Sequence, residues 1–443
     1  MQISAAPSFW QRIKIIGPGF IWAAAAIGSG ELIIASKVGA EYGLVFVWAL
    51  WLGIWLKYWI QKGILDVTIL TGKPVVELWH AGKFGTASSL YWLLFFILTA
   101  TGVSGLIGLS ASIMFTLIPA LSVQVWAVVL TFAIVAIAYT QKYGSFEKIM
   151  LAFCLALGVG VAATAFLATP SPAELLTWSI PTTTAAALIF LSLLGWGAGS
   201  GPDLMLPYSW WVTEKGYQNL TLNSADGKSL AEHTDADSVV VVRNWLRLAK
   251  WDTAFGYIAA GIVATVFMVA GAEILAPRGI LVEGMASLSS LAAIFTETFG
   301  PWSFYIFMVP AFAAIFSTAL GVFDGGRMAI AHIVRMLTGR ATVPPALMRS
   351  NAWYRVSLIF FSLVPLILFL GLKQPVALII AAGVLSAVSM PLLAFQVYRS
   401  LVRDIPAVYR PGKFYLGNLL LSVAVYVFFT GQALWQLADK WWF

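Results

Sequence analysis

Long apolar runs separated by short polar connections dominate the chain. A helix that crosses a membrane needs about 20 apolar residues. Eleven runs reach that length: 14–40, 43–68, 88–118, 123–140, 146–168, 183–212, 251–275, 301–336, 353–371, 375–397 and 415–437. The pattern predicts an all-α membrane protein with eleven transmembrane helices. Two of the runs are interrupted. Gly28-Ser29-Gly30-Glu31 breaks the first, and Gly199-Ser200-Gly201-Pro202-Asp203 breaks the sixth. Each interruption sets helix-weakening residues beside a carboxylate where lipid-facing side chains would otherwise be expected.

Breaks in spans one and six divide the chain into two five-span halves, 14–168 and 183–397, plus an extra helix at 415–437. Five is odd, so the second half enters the membrane with the opposite orientation. That is an inverted repeat, in which discontinuous helices build a site near mid-depth. A broken helix leaves backbone N–H and C=O groups unpaired, which a membrane tolerates only where they line a cavity or hold a ligand. The alternative is that Gly-Ser-Gly merely lets helices pack closely. Two matched runs with adjacent carboxylates favour a transport site in one transmembrane domain spanning 1–443.

Composition agrees. The chain has 443 residues, 60% hydrophobic and 10% charged, with a mean hydropathy of +0.88. No soluble core needs that much apolar surface. The single cysteine, Cys154, excludes an internal disulfide and a cysteine-cluster metal site. Residues 1–14 lack a small-residue cleavage site, so no signal peptide is expected. The net charge of +7 does not point to nucleic acid, because in a membrane protein the placement of Lys and Arg matters more than their sum. Most basic residues fall in alternate connections, against Lys37, Arg278, Lys373 and Lys440 on the other side. This places the N-terminus in the cytoplasm and the C-terminus outside, in a cell membrane. Residues 219–237 have few apolar anchors and are expected to form a mobile loop. Residues 243–250 lead into the seventh span along the interface, and 287–299 read as a short interfacial helix.

At this level the chain resembles the NRAMP family of metal-ion transporters. Gly17-Pro18-Gly19-Phe20, Gly39-Ala40, Tyr42-Gly43, the Trp-rich second span and the segment Gly197 to Ser209 carry the likeness, which covers nearly the whole chain. The resemblance implies a LeuT-like fold, a 5+5 inverted repeat with helices 1 and 6 discontinuous, and proton-coupled alternating access. The departures fall on the site. The family's Asp-Pro-Gly-Asn in helix one is here Gly28-Ser29-Gly30-Glu31. Its Met-Pro-His in helix six is Gly201-Pro202-Asp203, and a glutamine of helix ten corresponds to Gly383. Soft sulfur and imidazole ligands select transition metals over magnesium. Their loss argues against a manganese or iron carrier.

The substrate-binding candidates are therefore Gly28, Ser29, Gly30, Glu31, Gly199, Ser200, Gly201 and Asp203. Glu31 and Asp203 have three readings: oxygen ligands for a hydrated divalent cation, carriers of a coupling proton, or caps of their half-helices. The glycine runs point elsewhere. Successive N–H groups at a half-helix start suit an anion, and the aspartate that would repel one is replaced by Gly28. A small oxyanion such as bicarbonate, entering with a proton, is the leading expectation. A divalent cation, magnesium before manganese or iron, is the alternative.

Asp324 and Arg327 sit three residues apart in the eighth span, on one helical face. Pairing within the bundle is the first reading, and a part in gating or proton exit is the second. Lys57, in the second span, could snorkel inward to the surface or neutralise a carboxylate, and snorkelling is the favoured reading. His80 and His233 are expected to be solvated in loops, and His332 to be structural. Glu147 suits a helix start, and Trp196, Tyr208 and Trp210 could line the site or act as gates. There is no His-Glu-x-x-His motif and no paired nucleophile and base, which argues against an enzyme, and no cofactor is implied. A channel, or a receptor with a degenerate transporter fold, is the reading from another class. The expected partners are a small inorganic ion, H+ and the lipid bilayer, with no nucleic acid and no protein partner inferred.

Overall fold

The computed structural model describes residues 28, 30–140, 172–214, 229–284, 292, 296, 300–340 and 351–442. Residues 14–27 of the first run, the fifth run and nearly all of 287–299 lie outside the described residues, as do Ser29, Glu147 and Cys154. Every regular element among the described residues is helical.

A π-helical turn, Gly30–Ala35, runs on into α1, Ser36–Tyr42. Next come α2 (Val47–Thr71), the short α3 (Val75–His80), α4 (Gly85–Leu98), α5 (Ala100–Leu117) and α6 (Val123–Thr140). Then α7, Thr184–Ser192, continues as a second π-helical turn, Leu193–Gly197, and α8 covers Pro202–Glu214. The remainder is α9 (Ala236–Ala270), α10 (Phe304–Leu337), α11 (Ala352–Leu372), α12 (Pro375–Arg403) and α13 (Lys413–Trp442). Seven helical segments among the described residues are long and apolar enough to cross a membrane.

Local chemistry explains the boundaries. Thr183 and Asn351 cap α7 and α11 by accepting N–H groups of Ala186 and Trp353. Gly72, at φ +68°, closes α2 in the left-handed conformation. The third apolar run is one membrane-length segment, Gly85–Leu117, with a turn at Thr99. Thr99 separates α4 from α5 and returns its hydroxyl to the Phe96 carbonyl at 2.7 Å, a back-bond that bends helices.

The connection before α9 corrects the mobile-loop expectation in its described part. Ser229 and Glu232 form a capping box over a 3-10 turn, Leu230–Glu232. Asp235 then caps α9 by accepting the Ser238 N–H at 3.0 Å. Ser238 holds the Asp235 carboxyl below its ordinary range, first through its backbone and then through its hydroxyl. His233, expected to be solvated, is buried, and its carbonyl accepts the Tyr409 hydroxyl. Arg243 donates to the Val408 carbonyl at 2.9 Å. The segment is ordered because it docks on the connection between α12 and α13. Residues 219–228 lie outside the described ones. The seventh apolar run thus forms the later part of a longer helix that starts at Ala236.

Among the described residues, apolar side chains face outward along several helices, and some charged ones are buried. Ile359, Leu363 and Ile367 of α11 and Val427, Phe428 and Leu434 of α13 are exposed, as a lipid-facing band requires. On α2, by contrast, Lys57, Gln61 and Asp66 are buried. The glycines Gly102, Gly105 and Gly108 let α5 approach its neighbours. A methyl group at the first would overlap the Trp196 ring, and at the second and third it would crowd α12 and Phe369.

Candidate functional site

Both predicted breaks are present where they are described. Gly28 lies in a bend before the π-turn that carries Glu31. Residues 198–201 are non-helical, and Gly199 takes φ +81°, a region open to glycine and closed to most side chains. The breaks touch. A methyl group on Gly30 would overlap the carbonyl of Trp196, so only glycine allows the two backbones to come this close. Gly195 meets Gly383 of α12 in the same way.

Glu31 is fully buried. Its carboxylate accepts the Gly28 N–H at 2.9 Å and the Gly199 N–H at 3.2 Å. The first bond reaches back three residues, as a helix cap does. The second crosses to the other broken helix. The cap and the site are one arrangement, and it ties the breaks together through a charge-assisted bond.

Asp203 lies in the first turn of α8 and is also buried. Its Oδ1 accepts Trp196 Nε1 at 3.1 Å and the Ser386 hydroxyl of α12 at 3.3 Å. A Cβ on Gly201 would collide with Asp203 Oδ1 and crowd Ser386. Ser200 interacts with the Tyr257 side chain of α9. Trp196 therefore lines the site. Tyr208 and Trp210 are buried one to two turns further along α8, and the Trp210 ring lies 5.3 Å from that of His332.

Lys57 corrects an expectation. It does not snorkel: its side chain is fully buried, and Nζ donates to the carbonyls of Gly195 at 2.7 Å and Gly199 at 3.2 Å. It interacts electrostatically with Glu31 and Asp203. Gly53, one turn earlier on the same face, packs on Ala198 and Leu194 and brings α2 against the break. Helical arithmetic could have found this. Lys57 is ten residues from the nearer end of α2, about 15 Å at 1.5 Å per residue. That is beyond the reach of a lysine side chain.

Asp324 and Arg327 form a second group of polar contacts on α10. Arg327 Nε donates to Asp324 at 3.1 Å, and Nη2 donates to the Ala138 carbonyl of α6 at 2.9 Å. Trp211 Nε1 of α8 donates to the other Asp324 oxygen at 3.2 Å, and the guanidinium lies 4.6 Å from the Tyr354 ring centre of α11. The pair ties four helices together. His332 is buried, 4.0 Å from Glu77, while His80 is half-buried and paired with Ser89 at 2.9 Å. Among the described residues, no group of three or more His, Cys, Asp and Glu side chains forms a metal site.

Space at Gly28 is taken by α10. A methyl group there would overlap Thr318 Oγ1 and lie 3.0 Å from the Ala314 carbonyl. Gly28→Asp, which would bring back the aspartate of Asp-Pro-Gly-Asn, should therefore lower stability by about 1–3 kcal/mol. Thr318→Ala in the same chain should recover part of the loss. The midpoint of heat inactivation in detergent checks both, and an unchanged midpoint for Gly28→Asp would contradict the packing argument.

Comparisons with known proteins follow this geometry. The family model described as natural resistance-associated macrophage protein-like matches residues 19–436. The uncharacterized protein PM0681 of Pasteurella multocida is 23% identical over 407 residues, 88% of this chain and 85% of that protein. The divalent metal cation transporter MntH of Mycobacterium tuberculosis is 23% identical over 315 residues, 70% of this chain and 68% of its own length. Among solved structures, the Eremococcus coleocola manganese transporter bound to an aromatic bis-isothiourea compound superposes with a TM-score of 0.68 at 13% identity, covering 96% of this chain and 86% of that one. MhsT in complex with L-phenylalanine gives 0.58 at 16% identity, covering 94% and 98%. The fold is LeuT-like, as the resemblance implied. With the family match running almost end to end over that fold, the chain belongs to the natural resistance-associated macrophage protein (Nramp) family of integral membrane transporters.

Proposed function

We propose that the protein carries a hard divalent cation, magnesium ahead of manganese or iron, by alternating access, with Glu31 and Asp203 as its anionic ligands and as the groups that exchange a coupling proton. The observation that carries this reading is the seat of Glu31. Its carboxylate already holds the Gly28 and Gly199 N–H groups. The concavity that suggested bicarbonate thus has an internal anion in it, and an incoming anion would meet two carboxylates. A cation would meet the Glu31 and Asp203 carboxylates, hard oxygen ligands suited to magnesium, beside the Gly195 and Gly199 carbonyls that Lys57 holds. Gly201 and Asp203 stand where softer ligands would favour a transition metal. The name of the mycobacterial relative, divalent metal cation transporter, supports the cation over the oxyanion.

The test is flux into proteoliposomes that contain a magnesium indicator and a pH dye. We expect magnesium uptake driven by an inward proton gradient, with manganese slower and bicarbonate not carried. Bicarbonate uptake in the absence of divalent cations would overturn the proposal. Manganese uptake faster than magnesium would remove its hard-cation part.

A further inference from the structure

Lys57 is the charge that the transport reading leaves without a task. It projects from the middle of α2 into the opened helix and holds the carbonyls of Gly195 and Gly199. Gly199 is gripped from both sides: its N–H by the Glu31 carboxylate and its C=O by the Lys57 ammonium. Carbonyls released by unwinding are cation receptors, and here a tethered cation occupies them. Two buried carboxylates without a positive partner would be strongly unfavourable in the membrane interior. A divalent cargo supplies that partner when the carrier is loaded, and Lys57 supplies it in the structure described here.

We propose that Lys57 is a built-in substitute for the cargo: its ammonium occupies the broken-helix carbonyls when the carrier is empty and withdraws when a cation arrives. This rests on the cation-carrier reading. The ammonium keeps the empty site closed and electrostatically balanced, and so permits the unloaded return step that net transport requires. A resting place for the displaced ammonium lies one turn along the same face of α2. Gln61 is buried, and neither its Oε1 nor its Nε2 has a hydrogen-bond partner among the described residues. Its Oε1 is an acceptor for the displaced ammonium.

The experiment separates the two legs of the cycle. Net uptake into magnesium-free proteoliposomes requires the empty carrier to return. Exchange into magnesium-loaded proteoliposomes does not. Lys57→Ala should lose net uptake by roughly tenfold more than exchange, a difference of about 1.4 kcal/mol in the return step. With the pH buffered equally on both sides and uptake driven by the magnesium gradient, ammonium on both sides of the membrane should restore net uptake in Lys57→Ala and leave the wild type unaffected, whereas choline should do nothing. Equal losses in both modes, with no effect of ammonium, would overturn the proposal and leave a purely structural lysine. Lys57→Met, neutral and similar in length, serves if the alanine variant fails to fold. If the wild type carries magnesium in neither mode, the cation-carrier reading has failed, and heat stability then decides the lysine's role. Specific stabilisation of the Lys57 variant by ammonium supports a cation seat, and its absence refutes one.

Discussion

Glu31→Gln should reduce magnesium uptake by roughly two orders of magnitude. The amide has one acceptor oxygen where the carboxylate has two, so either the Gly28 or the Gly199 N–H faces an NH2 group. A buried donor is then unsatisfied, the bond between the breaks is weakened, and one cargo-attracting charge is gone. Leaving a buried donor unsatisfied costs about 1–3 kcal/mol, and more where a charged group is involved, and about 3 kcal/mol corresponds to roughly 150-fold in affinity. Asp203→Asn provides the contrast. Both the Trp196 and Ser386 donors converge on Oδ1, and an asparagine oxygen can accept both. That variant should therefore keep its thermal stability while losing cation affinity, whereas Glu31→Gln should lose both. Proton-coupled acidification of the vesicles should fall in each. Undiminished uptake and coupling in both variants would remove these carboxylates from the transport site.

Arg327→Met should be the most destabilising of the single substitutions considered. Arg327 is completely buried and reaches Asp324, the Ala138 carbonyl and the Tyr354 ring. Its removal strands the Asp324 charge within the bundle, at a cost of about 3–5 kcal/mol. Asp324→Asn added to Arg327→Met removes that stranded charge and keeps an acceptor for Trp211 Nε1. The double variant should regain most of the lost stability, since replacing both members of a buried pair is often close to neutral. Heat-inactivation midpoints for the two single variants and the double variant measure the coupling directly. Full stability combined with lost transport in the double variant would shift the pair from holding helices together to gating.

Much of this architecture was legible along the chain. The second, fourth and eighth to eleventh apolar runs became helices near their expected positions, because lipid solvation rewards hydropathy locally. Both breaks were legible because glycine and proline weaken a helix whatever surrounds them. The pairing of Asp324 with Arg327 followed from their spacing on one helical face. Two matters were misread, each for a reason of packing. Residues 229–237 looked loop-like from their polarity, yet Tyr409 and Val408 hold them in place. Lys57 looked able to reach the surface until its depth along α2 was counted.

Hydropathy, helix-breaking chemistry and the carboxylates beside the breaks were written in the order of the residues, and they were enough for a membrane transporter with two opened helices. Which groups those carboxylates meet was decided only by the packed structure. The Gly199 N–H that Glu31 holds comes from 168 positions away in the chain, and the Gly195 carbonyl that Lys57 holds comes from 138 positions away. In a low-dielectric interior the role of a charge is set by the group opposite it, and that group is brought there by packing rather than by neighbouring sequence.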